Sequence, residues 1–341
     1  MHQNIFSLKQ KLTGSLLDLF DSFALCISKE DYDGALELIL RTQGKGKIFI
    51  WKESMASELQ QLLNFLFDSE KQPLVSNSKF GDLYNLYGLT LRDQGKLQEA
   101  VQYLQNAIYK YEETNDHSIL TEALCDLSST LRVLGKTQDA EDFARTALER
   151  SESIPDIAEK QYWKGISLRI LGNLETTNGN FVEAEDHLLE ALDIWQEYSK
   201  TNDSQSEGMV NAFLALLYLE REDLPRDESL YKAEEFAKIA LELAEGEKFP
   251  RDMARATLIH GLILFALGKS KEADAKVKAA LEIATTNRLT EYKAEALLAL
   301  IKTALYLENE ELTHEYSKKL SSDESLLQYK SIQDEAASII Q

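Results

Sequence analysis

The chain has 341 residues, with 58 Asp plus Glu against 37 Lys plus Arg, a formal net charge of −21. That excess argues against a protein that neutralises nucleic-acid phosphates or an anionic membrane, because either task needs a basic face. Apolar residues at 44% exclude a disordered chain, and 4 Pro with 15 Gly leave little to interrupt long helices.

Cys26 and Cys125 are the only cysteines, too few for a disulfide framework or a paired zinc-ligand set, and they read as reduced core thiols. Residues Met1 to Gln10 lack the basic start, apolar run and cleavage site of a signal peptide, and no uncharged apolar stretch reaches about 18 residues. The expectation is a soluble, cytoplasmic protein that does not enter a membrane.

In chain order, Leu16 to Ile27 and Asp31 to Glu37 read as a helix pair with Ala35 at the close contact. Thr42 to Lys47 is glycine and lysine punctuation without the spacing of a phosphate-binding loop. The apolar segment Ile48 to Trp51 and an apolar-periodic helix to about Phe67 follow, and Ser69 to Lys79, with Pro73, reads as a linker. This divides the chain into an N-terminal helical segment at 1–75, a regular array at 76–320 and a C-terminal capping helix at 321–341.

The array is a repeat. Segments starting at Tyr84, Leu124, Leu168 and Thr257 each place a bulky residue three positions on, followed directly by a small one: Gly88, Ser128, Gly172 or Gly261. Seven residues later stands Gly95, Gly135, Gly179 or Gly268, and then Ala100, Ala140, Ala184 or Ala273. Small residues on facing positions let two antiparallel helices approach closely, and the intervening glycine supplies a left-handed C-cap. One pair cannot bury its own apolar face, so pairs must stack. A fourth unit around Ala215 and Ala233 carries an extra loop at Pro225, and a degraded sixth spans Tyr292 to Leu320 with Thr313 in the alanine position.

This order of large, small and alanine positions resembles the tetratricopeptide repeat family. The resemblance implies an all-α fold, a right-handed solenoid of antiparallel helix pairs. The spacing departs from the commonest form of about 34 residues: the alanines are 40 apart from Ala100 to Ala140 and 44 apart from Ala140 to Ala184. Longer helices or turns are therefore expected.

Catalysis finds little support in the residues. The five histidines, His2, His117, His187, His260 and His314, fall in different parts of the chain, whereas acid–base or metal chemistry needs them to converge. His260 sits at a packing position and reads as a satisfied core histidine. No enzyme activity, cofactor or metal is expected.

Binding fits better. The resemblance implies that the first helix of each pair lines a concave wall, and counting along the repeats places Asn85, Arg92, Arg132, Arg169 and Asn173 on it. Arginine forks take carboxylates, and asparagine amides can hold both groups of an extended peptide backbone. Two readings stand open: these arginines contact a ligand, or they pair with acids such as Asp82, Asp93, Glu122 and Asp126 and hold the repeats together. The family's carboxylate clamp, a Lys and an Asn at the fifth and ninth positions of one repeat, is not matched by Asn85 and Leu89. Further on, the inward positions turn apolar at Ala212, Leu216, Leu219, Leu258, Leu262 and Phe265; they read as core or, if exposed, as a second surface for an amphipathic partner helix or self-association, with core the favoured reading.

The expected function is a non-enzymatic scaffold or adaptor that binds a peptide or partner protein in the groove. The alternative is a regulatory sensor that binds a signalling peptide or forms part of a bacterial signal-transduction or transcription-control assembly. Residues 1–75 show no helix-turn-helix with a basic recognition helix, so no direct nucleic-acid contact is expected. The sequence leaves the oligomeric state open.

Overall fold

The computed structural model describes residues 8–51, 54–199 and 205–340, which hold seventeen α-helices, three short 3-10 turns and no named strand. His2 lies outside the described residues, as does most of the segment tested above for a signal peptide. The chain forms two compact units, Met1–Asn115 and Asp116–Gln341.

In the first unit, α1 (Gly14–Ser28) and α2 (Tyr32–Leu40) form the expected pair. Leu16, Phe20 and Phe23 of α1 and Ala35, Leu36 and Ile39 of α2 are fully buried. The Asp31 carboxylate accepts from the Gly34 amide at 2.9 Å and caps α2, satisfying one of the donors a helix start leaves open. The apolar segment Ile48–Trp51 is a short helix of its own, α3 (Ile48–Trp51), and the helix after it is α4 (Ala56–Leu63), which ends short of Phe67. Ser54 takes a left-handed conformation with φ of 53°, which no α-helical ladder can pass through. The first repeat follows as α5 (Phe80–Asp93) and α6 (Leu97–Glu112).

The second unit continues as α7 (His117–Val133) and α8 (Thr137–Ser151), then α9 (Ile157–Thr177) and α10 (Phe181–Ser199). Next come α11 (Gln205–Glu220) and α12 (Arg226–Glu247), then α13 (Pro250–Ala266) and α14 (Ser270–Thr286). The sixth pair is α15 (Thr290–Tyr306) and α16 (Glu310–Ser322), and α17 (Lys330–Ile340) follows it. The stretched period has its cause in helix length: α9, α10 and α12 run to 21, 19 and 22 residues.

The repeat signature marks the helix–helix seams. A Cβ added at Gly172 would stand 2.5 Å from Leu188 Cγ and 3.1 Å from the Ala184 carbonyl oxygen, so nothing larger than glycine fits there. At the equivalent seam of α7, Ser128 Oγ donates to the Ala140 carbonyl at 2.7 Å, a small polar residue satisfied in place. Ala100, Ala140, Ala184 and Ala273 are fully buried. Gly95, Gly135, Gly179 and Gly268 all adopt φ between 75° and 83°, the left-handed turn that ends the first helix of each pair. In the sixth pair Glu308, with φ of 54°, does this without glycine.

Successive pairs of the second unit are also tied by buried charge. Glu175 of α9 is 1% exposed and accepts from Arg145 of α8 at 3.1 Å and from His187 of α10 at 2.6 Å. The Glu175 hydrogen bond raises the His187 pKa above its ordinary value, against the opposing effect of burial.

Candidate functional site

The first helices of the second unit, α7, α9, α11, α13 and α15, share one inward wall. Between them lies a cavity of about 200 Å³. Its apolar lining is Phe213 and Leu216 of α11, Leu258, Ile259 and Leu262 of α13, and Leu298 and Ala299 of α15. Its polar lining is Arg132, Asn173, Arg255, Glu291, Tyr292, Glu295 and Lys302. A few convergent polar groups over an apolar floor is the usual build of a ligand site, though this volume falls below the roughly 300–1,000 Å³ of a drug-sized pocket. It has room for one or two side chains of a larger ligand.

The sequence-predicted residues divide between the two units. Asn85 and Arg92 lie on α5 of the first unit, Asn85 only 6% exposed and Arg92 half-buried. Arg132, Arg169 and Asn173 lie in the second unit, and there the structure sends the two arginines to different ends.

Arg132 of α7 donates to Glu291 of α15 at 2.6 Å, spanning 159 positions of sequence. None of the neighbouring acids considered from sequence takes this role. Burial works against the Arg132 charge, but Glu291 and Glu295 outweigh it and its pKa rises. Arg132 is thus an ion-pair tie across the wall of its own unit. Glu291 is 7% exposed and has a second cation, Arg251, at 3.9 Å.

Arg169 of α9 makes no hydrogen bond and no ion pair among the described residues, and its Nε is sealed from solvent without an acceptor. Its guanidinium lies over the Phe213 ring at 5.7 Å, which also carries Arg255 at 5.4 Å. Burial first, and the adjacent Arg255 second, pull the Arg169 pKa down to about 10. Asn173 stands one helical turn further along α9, so the two side chains share a face. It is 6% exposed, lines the cavity, and its side-chain amide has no hydrogen-bond partner among the described residues.

Sequence counting missed Arg255, Glu291, Tyr292 and Glu295. Arg255 is held by Asp252 at 2.8 Å and by the Tyr292 hydroxyl, and Asp252 also accepts from Gln205 at 2.7 Å. Burial opposes the Arg255 charge, but Tyr292, Asp252 and Glu291 prevail and raise its pKa. Glu295 is pushed up to about 7, by burial first and by the Glu291 carboxylate second. The apolar inward positions are partly core and partly lining: Ala212, Leu219 and Leu258 are buried, yet Leu216, Leu258 and Leu262 border the cavity.

His260 departs from expectation. It is half-buried, its Nδ1 has no hydrogen-bond partner among the described residues, and burial lowers its pKa, so it packs as a neutral ring without being satisfied. Among the described residues, no three His, Cys, Asp or Glu side chains group as a metal site, and no helix is long and apolar enough to cross a membrane.

Comparison with known proteins agrees with the repeat seams. Tetratricopeptide repeat family models match residues 80–153 and 166–203. Among solved structures, a Rap protein complexed with Competence and Sporulation Factor is similar at a TM-score of 0.62 and 14% identity, over 98% of this chain and 91% of that one. The Rap conjugation gene regulator of plasmid pLS20, in complex with the Phr* peptide, gives 0.56 and 13%, covering 94% and 93%. Aspartyl phosphate phosphatase F from Bacillus subtilis gives 0.53 and 14%, covering 97% and 96%. No curated protein sequence matches this one.

Proposed function

This chain is a tetratricopeptide repeat protein, and from that premise we propose that it is a non-catalytic, cytoplasmic receptor or scaffold that binds a peptide segment on the inner wall of residues 116–341. One observation carries the reading: Asn173 presents an unengaged amide to a cavity otherwise floored by Leu216, Leu258, Leu262 and Leu298. An asparagine amide offers a donor and an acceptor at the spacing of a peptide group, and the apolar floor takes a side chain next to it. The cavity accepts an anchor of the peptide, and the rest of the wall carries its backbone.

A signalling-peptide sensor is the narrower form of this proposal. It is favoured by fold likeness, over nearly the whole length, to structures whose ligands are Competence and Sporulation Factor and the Phr* peptide. The fold alone does not fix a ligand, so the site must be tested directly.

The test is retention of a random pentapeptide library on the purified protein, read by mass spectrometry. Asn173→Ala is expected to lower retention by about tenfold or more, the loss of one to two well-made hydrogen bonds, with an unchanged circular dichroism spectrum and melting temperature. Equal retention by wild type and Asn173→Ala would reject this site.

A further inference from the structure

Building on the peptide reading above, we propose that Arg169 and Arg255, which share the Phe213 ring, form a subsite that receives a carboxylate of the bound peptide. The other arginines of this wall are compensated: Arg132 and Arg251 lie at 2.6 and 3.9 Å from Glu291, and Arg255 lies at 2.8 Å from Asp252. Arg169 alone among these four has no ion-pair partner. Asp252 acts on it only at a distance, being already engaged by Arg255 and Gln205.

An empty fold gains nothing from this arrangement. Two guanidiniums beside one ring repel, and a buried Nε–H without an acceptor forfeits the hydrogen bond it had in water. An apolar side chain of similar size in place of a buried charge is often the more stable choice. An arriving carboxylate reverses each cost: it neutralises the excess cation, accepts from the guanidinium fork, and does so beside an aromatic ring where water is sparse and the attraction strong.

Charge also selects the kind of anion. Glu291 and Glu295 stand on the same wall, so a doubly charged phosphate would meet repulsion that a single carboxylate meets less. The carboxylate is either the chain terminus of the peptide or an Asp or Glu side chain within it. Asn173, one turn along α9, would then hold the adjoining peptide group.

The probe is the pentapeptide library in two forms, free acid and C-terminal amide, applied to wild type and Arg169→Met, with melting curves of both proteins taken without peptide. Wild type is expected to retain carboxylate-bearing peptides about tenfold over neutral amides. Preference for free acids of any sequence assigns the subsite to the chain terminus, and enrichment of Asp or Glu in both forms assigns it to a side chain; either supports the proposal. Arg169→Met should lose that preference and melt several degrees higher when empty. Retention without preference for a carboxylate overturns the subsite while leaving the peptide reading intact, and no retention overturns both. A lower melting temperature for empty Arg169→Met also overturns it, because the guanidinium would then serve the fold.

Discussion

On α9, Gly172 and Asn173 are chain neighbours that face different regions of the second unit. Gly172 turns into the seam with α10, where an added Cβ would come within 2.5 Å of Leu188, while Asn173 turns to the cavity with its amide unengaged. The seam is closed to everything but the chain itself: its residues are small, buried and complementary. The inner wall keeps a half-buried guanidinium without a partner, a carboxyl pushed up to about 7, and open volume. The seam serves the fold alone, and the uncompensated groups of the wall are what a ligand of the proposed kind would make good.

That contrast breaks most visibly at the seam. Gly172→Leu gains helix propensity of just under 1 kcal/mol, but the clash with Leu188 and the Ala184 carbonyl outweighs it. The net loss should be about 3 kcal/mol in chemical denaturation, with α9 and α10 loosened. Arg132→Ala comes next. It takes from Glu291, 7% exposed, the cation that stands 2.6 Å away, and should cost about 2–3 kcal/mol. Arg132 therefore behaves as a seam residue placed on the wall. A thermal melt of Arg132→Ala indistinguishable from wild type would refute that assignment.

The smallest effect sharpens the comparison through pH. Glu295 faces Glu291 on its own helix, Arg132 on α7 and Arg255 on α13, with burial the largest influence on it. Its folded pKa of about 7 lies above its ordinary 4.5, so its contribution is fully present below about pH 4.5 and is lost as pH rises through 7. Glu295→Gln should match wild type in stability near pH 4 and exceed it near pH 8, by at most about 3 kcal/mol before solvent screening reduces it. Parallel pH–stability curves for the two proteins would show that Glu295 is not strained on the wall.

The seams were legible in sequence because their contacts are local. Gly172 meets Ala184 and Leu188, and Ser128 meets Ala140, all within one repeat, so the requirement for small residues recurs at a fixed offset and can be counted. The wall follows a longer logic. The partner of Arg132 stands 159 residues away, and no local spacing announces it.

Arg255 was within reach of counting, since it holds the second position of the fifth repeat, but the apolar run at Leu258, Leu262 and Phe265 drew the reading toward core. Glu295 holds the same position in the sixth repeat once Thr313 is set in the alanine position, though this degraded unit carries Glu308 where the others have glycine. The left-handed turn at Ser54 between α3 and α4 has no such signal, since neither Pro nor Gly marks it.

The most direct measurement is hydrogen–deuterium exchange of the full chain with and without the best-retained pentapeptide of the library. Exchange reports local opening helix by helix, and bound surfaces slow. Slowing concentrated in residues 157–177, 250–266 and 290–306, the helices that carry Asn173, Arg255 and Glu295, is the predicted result. Slowing confined to the second helices of the pairs, such as 181–199 and 270–286, would contradict the inner wall as the binding site.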